Sequence, residues 1–146
     1  GVAIVHGDYR LDNCMMDPTG PVAAVLDWEL CTLGDVLADV AGMVAYGDER
    51  TTGGAPPPTA AEGFPSTNEV RELYAQHGTR DLDELDFYVA FAYWRIACIV
   101  EGVYSRYAAG VMGDQDDPQL VELFGRRVLD LASLAHDMAR ELPRTA

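Results

Sequence analysis

The sequence predicts an α+β fold that is mainly helical, with one small β-hairpin close to its start. Three observations carry that prediction. Short apolar runs at the beginning are punctuated by Pro18-Thr19-Gly20-Pro21, a turn signal. From Gly34 onward, apolar residues recur at intervals of three and four. Helix-starting and helix-ending residues then divide that stretch into separate segments.

Val2 to Val5 is an apolar strand that ends in His6-Gly7-Asp8. Asn13 to Asp17 and Val22 to Leu26 form the two legs of the hairpin. Pairing them about the turn sets Asn13 opposite Leu26 or Asp27. Asp35 is a candidate N-cap for a helix whose face is Val36, Leu37, Val40, Ala41 and Val44. Arg50 to Pro65, rich in Gly, Pro, Thr and Ala, is the one long loop. Ser66 and Glu69 have capping-box spacing and open a helix to His77. A long helix spans about Asp83 to Ala108, apolar on most sides and hence central, with Phe91, Tyr93 and Trp94 expected in the core. Asp117-Pro118 opens the last helix, and Pro143 closes it.

At 146 residues and 49% apolar content the chain is one domain, residues 1–146, with enough material for a core. Its net charge of −14 repels phosphate backbones and anionic headgroups, so neither nucleic acid nor membrane is an expected partner. Every basic residue is an arginine. Cys14, Cys31 and Cys98 form no CxxC pair, which reads as reduced thiols and a cytoplasmic location. The apolar stretch Phe87 to Tyr104 carries Arg95 and Glu101, which argues against a membrane span. The chain starts inside a strand without an initiator methionine and reads as a truncated piece of a longer protein.

Phosphoryl transfer needs a carboxylate that orients or deprotonates the acceptor hydroxyl, and oxygen ligands that hold metal ions against the phosphates. Asp8, on the turn after the first strand, supplies the first. Asn13 and Asp27, brought together by the hairpin, supply the second, with oxygens suited to Mg2+. His6-Gly7-Asp8-Tyr9-Arg10-Leu11-Asp12-Asn13 resembles the catalytic loop of the aminoglycoside phosphotransferase family, and Leu26-Asp27-Trp28-Glu29 resembles its metal-binding segment. Gly34 to Ala41 is similar to the segment that follows, with Val36 where a proline is commoner. Phe87 to Tyr104 resembles a branch linked to acyl-CoA dehydrogenase-like proteins.

That resemblance implies the C-terminal lobe of a protein-kinase-like fold. It implies Asp8 as catalytic residue, and Asn13 and Asp27 as the ligands of Mg2+ and, through it, of ATP. Arg10 falls where the related kinase loop has a lysine, so its guanidinium either steadies the transferring phosphoryl oxygens or pairs with Asp12 or Asp17. His6 is a loop organiser, and Asp39 braces the loop from the next helix. His77 and His136 have no partner at metal-ligand spacing, and Arg126-Arg127 reads as a solvated face. The expected partners are a small hydroxyl substrate and a nucleotide. A phosphate-covering loop and strand lysine, which kinase-like enzymes carry in an N-terminal lobe, are missing here. The expectation is a lobe inactive by itself, able to self-associate through the surface its absent half would cover. The competing reading is a non-enzymatic lobe that folds without turnover.

Overall fold

The computed structural model describes residues 2–53, 55–111 and 118–143. The described residues hold four short strands and four α-helices besides short 3-10 turns: β1 (Ala3–Val5), β2 (Cys14–Met16), β3 (Val22–Val25), β4 (Thr32–Gly34), α1 (Leu37–Tyr46), α2 (Thr67–His77), α3 (Leu85–Ala108) and α4 (Pro118–Glu141).

β2 and β3 pair antiparallel, with Cys14 opposite Val25 and a register irregularity between Met15 and Met16. Asp17 closes the turn, accepting from both the backbone N–H and the hydroxyl of Thr19, at 2.8 Å and 2.6 Å. The ladder extends past the strands, because Leu26 N–H donates to the Asn13 carbonyl at 2.8 Å. β1 does not stand alone. It pairs antiparallel with β4, Ile4 opposite Leu33. Thr32-Leu33-Gly34 is too short and too glycine-rich to show strand periodicity, and sequence reasoning did not mark it.

α1 begins where expected. Asp35 Oδ1 accepts from Leu37 N–H at 3.1 Å, and the same carboxylate pairs with Arg80 at 3.1 Å, tying the start of α1 to the approach to α3. α2 opens with the full capping box, Ser66 and Glu69 bonding reciprocally. The Asp117 N-cap of α4 lies outside the described residues. The loop over 50–65 is not structureless: it holds a 3-10 turn at Pro58–Ala60 and the end of another, Glu49–Thr51.

The core lies among α1, α3 and α4. Leu37, Ala41, Leu85, Val89, Ile96 and Leu131 are all buried in it. Full burial of one such leucine stabilises by about 1.5–3 kcal/mol. The helices approach closely where Gly125 of α4 faces Tyr104 of α3: a Cβ there would sit 3.1 Å from the Tyr104 ring. α3 is long and apolar enough to cross a bilayer by length and composition, but it is also the central helix of this core. Tyr93 is buried as expected, whereas Phe91 and Trp94 are not core residues. They are exposed on the outer side of α3, beside a shallow groove shared with Ala135 and His136 of α4. An all-round apolar helix hides which sides are covered, so periodicity could not separate them.

Candidate active site

The segment 6–8 links β1 to a 3-10 turn at Leu11–Asn13, and all three of its backbone N–H groups are engaged. Asp39, on the first turn of α1, accepts from His6 N–H at 2.6 Å and Gly7 N–H at 2.9 Å. The buried His6 ring spans the loop. Its Nδ1 accepts from Asp8 N–H at 3.2 Å, and its Nε2–H donates to the Leu26 carbonyl at 2.8 Å. Both ring nitrogens are therefore spent on structure. Gly7 has φ +87°, and a Cβ would lie 2.7 Å from the Leu30 carbonyl oxygen, so only glycine fits.

This scaffold holds Asp8 beside Asn13. The Asn13 amide donates to the Asp8 carbonyl at 2.8 Å and to Asp8 Oδ2 at 3.1 Å. With its nitrogen committed, Asn13 Oδ1 is the free acceptor of a buried side chain. Asp27 follows Leu26, the residue joined to Asn13 by the backbone. It has φ 64° and ψ 57°, the left-handed region, where no other described non-glycine residue lies. Such a conformation costs an aspartate of the order of 1 kcal/mol and gathers at functional sites. The Asp27 carboxylate is exposed and has no hydrogen-bond or ion-pair partner among the described residues. Among those residues no three His, Cys, Asp or Glu side chains gather into a metal-binding group. A free amide oxygen and an unpaired carboxylate at the open end of one hairpin nevertheless fit a hard cation that keeps most of its water.

Arg10 pairs with Asp8 and Asp12, each at 3.5 Å, and lies 5.5 Å over the Tyr46 ring. Asp17 is occupied by Thr19 and takes no part. Two residues that sequence reasoning missed complete the site. Tyr46, ending α1, donates to Asp8 Oδ1 at 3.5 Å. Burial raises its phenol pKa, and the neighbouring Asp8 charge adds to that. Arg95 of α3 donates from Nη1 to the Gly7 carbonyl at 2.5 Å, fixing the loop from the far side of the core. An arginine set among apolar residues in a long apolar run was the available signal for Arg95. Arg127 also corrects expectation: it is half-buried and donates to the Thr51 carbonyl, whereas Arg126 faces solvent beside Glu122.

A model of the phosphotransferase enzyme family matches residues 2–88, more than half of the chain, including Asp8, Asn13, Asp27 and Tyr46. The chain belongs to that family. This member of the phosphotransferase family is 36% identical to acyl-CoA dehydrogenase family member 10 of Mus musculus over 97% of its length. It is 38% identical to acyl-CoA dehydrogenase family member 11 of Homo sapiens over 77%. It spans only 14% and 15% of those relatives. A crystal structure described as a candidate aminoglycoside phosphotransferase, from Ralstonia eutropha JMP134, superposes on 98% of this chain with a TM-score of 0.68 and 35% identity, and the chain covers 44% of it. The helix-rich architecture with its small sheets agrees with a kinase-like fold.

Proposed function

We propose that this chain is the catalytic lobe of a phosphotransferase that moves the terminal phosphoryl group of ATP to a hydroxyl on a small molecule. The observation that carries the reading is the junction of Asp8, Asn13 and Leu26-Asp27, joined by the Asn13 side chain on one side and its carbonyl on the other. Asp8 would accept the hydroxyl proton and align the oxygen for attack. Asn13 Oδ1 and the Asp27 carboxylate would hold Mg2+, which when bound offsets the charge of the phosphates. Arg10, between Asp8 and Tyr46, would steady the transferring oxygens. The lysine that normally pairs the inner phosphates must come from outside this chain, which has none. The chain by itself would therefore hold the acceptor side of the reaction and turn over little.

The test uses the protein together with its nucleotide-binding lobe. Asp8→Asn should lower kcat by roughly 10²–10⁴ while nucleotide affinity stays nearly intact. Asp27→Asn should instead weaken the magnesium–nucleotide complex, with partial rescue by excess magnesium. Full turnover in Asp8→Asn, or the same behaviour of both variants across a magnesium titration, would end this division of labour.

A further inference from the structure

Arg95 sets a full charge inside the apolar helix α3 and makes little visible use of it. One turn away in either direction lie Phe91, Ala92, Cys98 and Ile99, none of them acidic. The chain has 24 acidic residues, yet Arg95 has no carboxylate partner among the described residues. Its Nε is buried and makes no hydrogen bond, while its Nη1 donates to the Gly7 carbonyl at 2.5 Å. Desolvating a cation that meets no anion is costly, so the placement needs a cause.

Gly7 supplies the cause. With φ +87° and no Cβ, it has the freest ψ of the 6–8 segment, and Asp8 is the next residue along. Asp39 holds the N–H groups of His6 and Gly7, but neither of those bonds reaches the peptide between Gly7 and Asp8. That peptide is held at its two polar ends. Its N–H donates to His6 Nδ1 at 3.2 Å, and its oxygen accepts from Arg95 at 2.5 Å. The second bond is shorter and charge-assisted, which makes it the stronger hold. α1 leaves room for the arginine to pass. Gly42 is buried on that helix, and Arg95 Nη2 is the nearest neighbouring atom to where its Cβ would sit, at 3.9 Å. A glycine inside a helix otherwise weakens it.

We propose that Arg95 is a positioning residue for phosphoryl transfer: it holds the Gly7 carbonyl and so sets the direction in which Asp8 presents its carboxylate to the acceptor hydroxyl. The inference rests on the phosphotransferase reading for the reaction, while the hold on Asp8 is testable without nucleotide. Arg95 touches neither acceptor nor phosphate and acts only through Gly7. Its charge strengthens one bond to a neutral carbonyl, and an acid beside it would draw the guanidinium away from Gly7. Asp8 depends on such a hold more than Asp27 does. A base must face its proton within roughly an ångström, whereas a cation that keeps most of its water tolerates a small displacement.

The experiment uses the protein together with its nucleotide-binding lobe. Arg95→Met keeps an apolar stem and removes the donor. In its crystal structure the Gly7 carbonyl should turn, and the Asp8 carboxylate should lie about 0.5 Å or more from its wild-type place. Its kcat should fall roughly tenfold to a hundredfold, with affinity for magnesium–nucleotide within about threefold of wild type. Arg95→Lys restores a cationic donor on a stem of similar length and should recover most of that loss. Gly42→Leu fills the passage from α1 and should resemble Arg95→Met, and the double variant should be no worse than either alone. Arg126→Gln, at an exposed arginine paired with Glu122, should keep the wild-type kcat. Unfolding midpoints set an assay temperature at which every variant is folded, so a lower kcat is not a loss of folded protein. The proposal is overturned by an unmoved Asp8 in Arg95→Met, by wild-type kcat in that variant, or by equal losses of kcat and nucleotide affinity. Arg95→Lys no better than Arg95→Met, or a double variant whose losses add, overturns it as well. If the wild type transfers no phosphate from ATP, the phosphotransferase reading fails, and the crystal structures alone decide whether Arg95 holds Asp8.

Discussion

Asp48 lies two residues past the end of α1, and its charge is kept at some cost. Burial opposes the ionised carboxyl, but hydrogen bonds from Arg50 and from the Tyr93 hydroxyl, the latter at 2.6 Å, outweigh it and hold the pKa at about 2. A carboxyl depressed on folding contributes stability that is present above its unfolded value of 3.8 and is lost as pH falls toward about 2. Asp48→Asn should therefore cost about 1–2 kcal/mol at neutral pH, and the gap to wild type should close as the solution is acidified through that window. Urea titrations of both proteins at several pH values read this directly, and a gap that ignores pH would refute it. The residues of the candidate site divide by the range over which they act. The meeting of Asn13 with Leu26, the neighbour of Asp27, was legible because a turn signal and leg lengths fix that register. Tyr46 and Arg95 were not, since they meet the loop across 38 and 88 positions of chain, a separation set only by how helices pack.

At the scale of elements, local chemistry and packing have different weights. The Ser66 cap of α2 is exposed and bonds only its own helix. Ser66→Ala should cost about 1 kcal/mol. Leu131 is buried in the core that α4 shares with α1 and α3, so Leu131→Ala leaves a cavity and should cost about 2–5 kcal/mol. Denaturant unfolding of the two variants should rank them in that order; the reverse would mean that α4 contributes little to the core. The same contrast explains what the sequence could tell about elements. Helices with caps and regular apolar spacing were readable, and α2 begins and ends within a residue or so of where its signals lie. β4 was unreadable because three residues carry no period, and its partner β1 lies on the far side of the hairpin in sequence.

At the scale of the whole molecule, exposed apolar residues occur on the helices too, such as Trp94 and Leu129, but one set of them lies on β1, β4 and the hairpin. Val2, Ile4 and Leu33 are 78%, 66% and 73% exposed, and Met15, Met16 and Val22 on the hairpin are also open to solvent. Apolar surface gathered in this way usually marks an interface. The relatives are far longer than this chain, which leaves ample sequence in them for a covering lobe. Without a cover, the chain should associate with itself as concentration rises. Sedimentation velocity should show growth in mass up to about 100 μM, and Leu33→Glu should shift the equilibrium back toward monomer. A wild-type chain that stays monomeric throughout would count against an interface there.

The bonds around His6 also set a clock. The amides of His6, Gly7, Asp8 and Leu26 are all donated inward, to Asp39, to the His6 ring and to Asn13, while Gly7 lies flush against the Leu30 carbonyl. The loop bearing Asp8 and the turn bearing Asp27 are thus one body, and neither can loosen without the other. The entropy of bringing them together is lost once, when the chain folds, and not again each time a ligand arrives. Solvent deuterium should accordingly reach these four amides only on the slow timescale at which the whole lobe opens.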